Sequence, residues 1–128
     1  MQVFSGDWAE AFHKQINLDG TYATSGANWT LGKLALVLDD KAVVLHLHEG
    51  VCRSVISTSA DNATPNADYV ISGTSDTWQD VLAGKTAPLM GIMSGKLKLT
   101  KGSIGSLMPF AKAAVDLVNS AKKLDTEF

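Results

Sequence analysis

The sequence predicts an α+β domain of five strands and four helical stretches around one core. Three observations carry this. Five short stretches alternate apolar and polar residues with period two, four others carry apolar residues at helical spacing, and no linker or internal repeat divides the 128 residues. A chain of this length buries a sizeable core without a disulfide or metal staple.

The first helix spans about Trp8 to Leu18, where Trp8, Phe12 and Ile16 recur every fourth residue opposite Glu10, Lys14 and Gln15. Ser5 or Asp7 caps it, and Gly20 ends it. The following GTYATSGAN is rich in turn formers and reads as a loop. From Trp29 to Leu38 the period becomes two, with Leu34, Leu36 and Leu38 on one side and Lys33, Ala35 and Val37 on the other. Asp39-Asp40 turns into a second strand, Ala42 to His48, and Glu49-Gly50 into a third, Val51 to Ser57, which together make an antiparallel meander. The polar stretch from Ser59 to Asn66 reads as a loop before a short strand, Tyr69 to Ser72.

Thr74 or Ser75 caps the next helix, through Trp78, Val81 and Leu82, and Gly84 stops it. Pro88 suits the first turn of a further short helix whose Leu89, Met90, Ile92 and Met93 leave it apolar on nearly every side. Gly95 ends that helix, and Leu97 and Leu99 alternate with lysines in a fifth strand. Ser103 to Leu124 reads as one long amphipathic helix, with Leu107, Phe110 or Ala111, Ala114, Leu117 or Val118, and Ala121 on its buried face.

Composition narrows the function. A formal charge of -2 offers no basic face for a phosphate backbone, so nucleic acid is not an expected partner. The single cysteine, Cys52, forms no internal disulfide, and no apolar run approaches the ~20 residues of a membrane span. A cytoplasmic protein is the expectation. Hydrophobic residues at 45% against 19% charged leave apolar surface to be hidden.

Few residues suggest catalysis. His46 and His48 leave one face of a strand, but two imidazoles with no third ligand at a recognised spacing do not make a metal site. Gly91 to Lys96, GIMSGK, lacks the spacing and the Ser or Thr of a phosphate loop. Gly102-Ser-Ile-Gly105 has the shape of an RNA clamp in an acidic chain. Asp39, Asp40, Asp76 and Asp80 fall at turns and caps, and Cys52 has no nucleophile context. No metal, cofactor or enzymatic activity is expected. The unusual feature is the density of large, adaptable apolar residues from Trp78 to Val118, with Met90, Met93 and Met108 among them.

Trp78 to Gly102, WQDVLAGKTAPLMGIMSGKLKLTKG, resembles the sterol carrier protein type 2 domain. The likeness rests on the aromatic and Leu of the helix, Gly84-Lys85, Pro88, and Ile92-Met93-x-Gly95-Lys96-Leu97-x-Leu99 leading to Gly102, with Ala67-Asp68-Tyr69-Val70-Ile71 before it. Thr100-Lys101 departs from it by one added residue, the last helix is longer, and the chain ends Asp-Thr-Glu-Phe rather than in a peroxisomal Ser-Lys-Leu. The resemblance implies a mixed five-stranded sheet with helices on one side and an apolar tunnel for a fatty acid, acyl-CoA, sterol or similar lipid. The expected function is therefore a non-catalytic lipid carrier whose ligand touches Leu82, Leu89, Met90, Met93, Ile104, Leu107, Met108, Phe110 and Ala111. A transient membrane or enzyme contact accompanies that role. The alternative is an interaction module, a homodimer or a partner of a lipid-processing enzyme, docking through the C-terminal helix.

Overall fold

The computed structural model describes residues 1–18, 20–29 and 32–128. Helix α1 (Gly6–Leu18) starts where the Ser5 hydroxyl accepts the Trp8 backbone N–H at 3.2 Å, and buries Trp8, Ala9, Phe12 and Ile16 as one stripe. Instead of the expected loop a short α2 (Gly20–Ser25) follows, with Tyr22 buried. It has one apolar anchor in six residues, too few for periodicity to reveal. Of the strand expected from Trp29, Trp29 itself lies in irregular chain, and Thr30 and Leu31 lie outside the described residues.

Strands β1 (Gly32–Leu38), β2 (Lys41–His48) and β3 (Val51–Ser59) form the meander. At its β2–β3 turn Glu49 and Gly50 both hold positive φ, 49° and 82°, the backbone a two-residue hairpin turn requires. The β2–β3 register shifts between His46 and Leu47, leaving Arg53 as an extra residue on β3. Strand β4 (Tyr69–Gly73) runs parallel to β1, and β5 (Lys98–Lys101) closes the edge antiparallel to β4. The order is β3-β2-β1-β4-β5, a mixed sheet.

Helices cover both faces, not one. Leu34, Leu38, Leu45 and Ile71 join α1, α4 (Ser75–Leu82) and the C-terminal helix in the main core. The opposite parity, Ala35, Val37, Ala42 and Val70, packs on Ala63 and Ala67. Ala63 belongs to α3 (Ala60–Asn66), formed where a loop was expected and capped by the Ser59 hydroxyl, which accepts the Asn62 N–H at 3.2 Å. Small residues on both sides let α3 approach the sheet closely, so it shows no large apolar stripe.

After α5 (Pro88–Met93) and β5, the expected single C-terminal helix is broken into α6 (Ile104–Leu107), a 3₁₀ turn (Met108–Phe110) and α7 (Ala111–Ala121). Pro109 has no N–H to continue an α-helical ladder, and the turn forms at it. Beyond α7 the chain returns to its beginning. The Val3 N–H donates to the Glu127 carbonyl at 2.8 Å, and the Trp8 indole N–H to the Thr126 hydroxyl at 2.9 Å.

Candidate functional site

The alternating leucines of the sheet and the stripes of the helices meet over an apolar cavity. Its floor is Leu34 and Leu36 of β1, Leu45 of β2 and Ile71 of β4. Phe12 of α1, with Trp78, Val81 and Leu82 of α4, forms one side. Pro88, Leu89 and Ile92 of α5, followed by Leu97, form another. Leu107, Phe110 and the Ala114, Leu117, Val118 and Ala121 face of α7 close the roof, and Trp29 completes the wall. Every described residue in the lining is apolar or aromatic. Such a wall offers dispersion and burial and no acid, base, nucleophile or metal ligand.

Two tryptophans in the wall are held differently. The Trp78 indole N–H donates to the Val37 carbonyl at 2.8 Å, which anchors α4 on the sheet. Trp29 lies parallel to Phe110, with ring centroids 5.4 Å apart and planes 3° from parallel. The open space measures about 60 Å³. Ligand sites usually run to roughly 300 Å³ or more, so a long acyl chain enters only if the walls separate.

The residues expected at the ligand divide into two groups. Leu82, Leu89, Leu107 and Phe110 lie together in the wall. Met90, Met93 and Met108 are instead turned to solvent, at 60%, 62% and 53% exposure, so α5 is not buried on all sides as its composition suggests. Its inner face is Leu89 and Ile92, and its outer face is methionine. Ile104 is half-buried and Ala111 exposed, and neither is in the lining. Sequence reasoning does not assign Phe12, Trp29, Ile71, Trp78, Ile92 and Leu97 to the site. For the strand and helix members the available signal is their place in the alternation or the stripe, but Trp29 sits in irregular chain with no pattern.

Between Asp80 and Asp116 the chain has five lysines, at 85, 96, 98, 101 and 112, and no carboxylate. Lys112 pairs with Asp116 at 3.1 Å and Lys101 donates to the Thr64 carbonyl at 3.2 Å, while Lys85, Lys96 and Lys98 are exposed. Among the described residues no three His, Cys, Asp or Glu side chains gather to hold a metal ion. His13 is used structurally, donating to the Cys52 carbonyl at 2.8 Å. Among those residues, too, no helix is long and apolar enough to cross a membrane.

The model of the SCP-2 sterol transfer family matches residues 12–115. The chain belongs to that family. A crystal structure of sterol carrier protein 2 shares 35% identity with it, superposes with a TM-score of 0.88, and covers 95% of this chain and 98% of its own. A conserved hypothetical protein from Thermus thermophilus is 34% identical, with a TM-score of 0.89 over 99% of this chain and 92% of its own. Sterol carrier protein 2 from Yarrowia lipolytica, at 18% identity and a TM-score of 0.55 over 90% of this chain and 89% of its own, shares the fold. No curated protein matches the sequence. Membership of the SCP-2 family makes this a lipid-binding or lipid-transfer domain, and the family match takes in α5, β5 and most of the cavity wall.

Proposed function

We propose that the protein is a non-catalytic carrier that encloses the apolar body of a lipid, an acyl chain or a sterol-like ring system, in the cavity between the sheet, α4, α5 and α7. The observation that carries this reading is that every described residue of the lining is apolar or aromatic. Each methylene moved from water into such a wall contributes about 0.8 kcal/mol, so a dozen offset the cost of immobilising the ligand with few polar contacts. A reaction would need a polar group at the reacting atom, and none of the described lining residues supplies an acid, a base or a nucleophile.

Cargo is exchanged at the outer face of α5, which bears Met90 and Met93, with Met108 exposed on the 3₁₀ turn. These side chains lie on the outer side of the elements whose inner side walls the cavity, and the exposed Lys85, Lys96 and Lys98 flank α5 in sequence. Apolar side chains with a cationic surround fit the headgroup region of an anionic bilayer. A second copy of the chain or an enzyme is the competing occupant of that face. Light scattering that shows association rising with concentration would favour it.

The test of the carrier reading is native mass spectrometry of the purified protein with extraction of any bound lipid, followed by uptake of a fluorescent acyl ester. One lipid per chain is expected. Phe110→Asp places a carboxylate in the wall without a partner, and its uptake should fall at least tenfold while far-ultraviolet circular dichroism is retained. A bare wild-type chain that takes up no probe would overturn the reading.

A further inference from the structure

The protein has three tryptophans, and two of their indole N–H groups have acceptors within the fold. Trp8 donates to Thr126 and Trp78 to Val37. Trp29 is 2% exposed and its Nε1 has no hydrogen-bond partner. Buried donors are almost always paired, and one left unpaired in a native fold calls for an explanation. Its location bears on this: the Trp29 ring is part of the cavity wall, and Nε1 itself is closed off from the present open space, so an acceptor reaches it only as the walls separate. Beside it Tyr22, with ring centroids 6.4 Å apart, also buries a hydroxyl without a partner.

We infer that Trp29 Nε1–H is the polar end of the ligand site and donates to a single uncharged oxygen of the bound lipid, an alcohol, ketone or ester carbonyl. The parallel stack on Phe110 and the backbone bonds from Trp29 N–H to the Gly26 carbonyl and from Glu49 N–H to the Trp29 carbonyl, each 2.9 Å, hold the ring in place before a ligand arrives. An indole N–H lies in the ring plane, so fixing that plane limits the directions from which an acceptor approaches. The charge of the acceptor follows from the lining. No lysine, arginine or histidine is among its described residues, so a carboxylate drawn in beside Trp29 would lie desolvated without a counter-charge. A neutral oxygen satisfies the donor at no such cost. The inference rests on the carrier reading and narrows it, placing lipids with a neutral oxygen ahead of free fatty acids.

Three small probes of one shape test it by ¹H–¹⁵N NMR of the three indole signals, with Trp29→Phe used to assign the Trp29 signal. Cyclohexanone should move the Trp29 signal downfield, as a new hydrogen bond requires. Cyclohexane should perturb cavity methyl groups and leave that signal nearly still. Cyclohexanecarboxylate at pH 8 should bind at least tenfold more weakly than the ketone. In Trp29→Phe, which keeps a ring to stack on Phe110 but reshapes the wall for every probe, the affinity for cyclohexanone relative to cyclohexane should fall about tenfold. Equal shifts with ketone and alkane would mean that Trp29 has no ligand acceptor, an ordered water being its partner, and would overturn the inference while leaving the carrier intact. Carboxylate binding as tight as the ketone's would overturn the charge assignment. Should none of the probes, nor the acyl ester, enter the protein, the carrier reading itself fails and this inference with it. If Trp29→Phe does not fold, Trp8→Phe and Trp78→Phe assign the other two indole signals and the wild-type spectra decide the question.

Discussion

At the scale of single residues, burial fixes chemical behaviour before any partner does. Cys52 is a small core residue of β3, its carbonyl accepting from His13 and Asn17 and its N–H donating to the Asn17 side chain at 3.1 Å. Burial pushes its thiol up from 9.0 to about 12, opposed in part by a backbone hydrogen bond at Ser54. The unfolded thiol ionises near pH 9 and the folded one does not, so between pH 9 and 12 the unfolded state binds fewer protons and stability falls as pH rises. Below pH 9 both states are protonated and the residue adds no pH dependence. Denaturant unfolding of the wild type should lose stability relative to Cys52→Ala with a slope approaching about 1.4 kcal/mol per pH unit above pH 9. Tyr22 is raised too, by burial first and then by the charge of Cys52, and adds to the decline above pH 10. Parallel stability curves for wild type and variant across this range would remove the thiol from the account.

At the scale of elements, helix α5 joins two environments. Leu89 and Ile92 face the cavity, while Met90 and Met93 face water with Lys85, Lys96 and Lys98 nearby in sequence. If that outer face docks on an anionic bilayer, Met90→Glu with Met93→Glu should weaken co-sedimentation with phosphatidylserine-containing vesicles at least tenfold, and cargo uptake in solution should persist. Salt should weaken the wild-type association, since each lysine near an anionic surface contributes roughly 1 kcal/mol that ionic strength screens. Binding to pure phosphatidylcholine vesicles as tight as to anionic ones would sink the idea. What the sequence shows at this scale depends on how many large side chains an element commits. The meander, α1 and α4 bury long stripes, and their periods are readable. Helices α2 and α3 bury only Tyr22 and Ala63, so their composition looks like loop. The methionines mislead because composition cannot distinguish a helix buried on all sides from one whose outer apolar face meets solvent. The helix break at Pro109 is masked by the strong apolar stripe that runs across it.

At the scale of the molecule, the cavity and the fold compete for the same side chains. Leu82, Leu107 and Leu117 are buried core residues and cavity wall at once, and the space between them is about 60 Å³. Loading a lipid therefore requires the wall to open, and the cost of opening falls on the elements with the least holding them. The floor belongs to β1, whose ladders run to β2 on one side and β4 on the other. The side wall α5 and the α6 and 3₁₀ portions of the roof are short, of six, four and three residues, while α7 has eleven. Short helices with half-exposed surfaces open more readily than a doubly paired strand. A ligand at 100 times its Kd should stabilise the loaded protein by about 2.7 kcal/mol, seen as a rise in Tm. Hydrogen exchange localises where that free energy acts. Saturation with a bound lipid should slow exchange most at Leu89–Met93 and Ile104–Phe110, with β1 and β2 changing only by the global increment. If instead β1 and β2 gain as much protection as the roof, the cavity loads by unfolding of the whole domain rather than by movement of one wall.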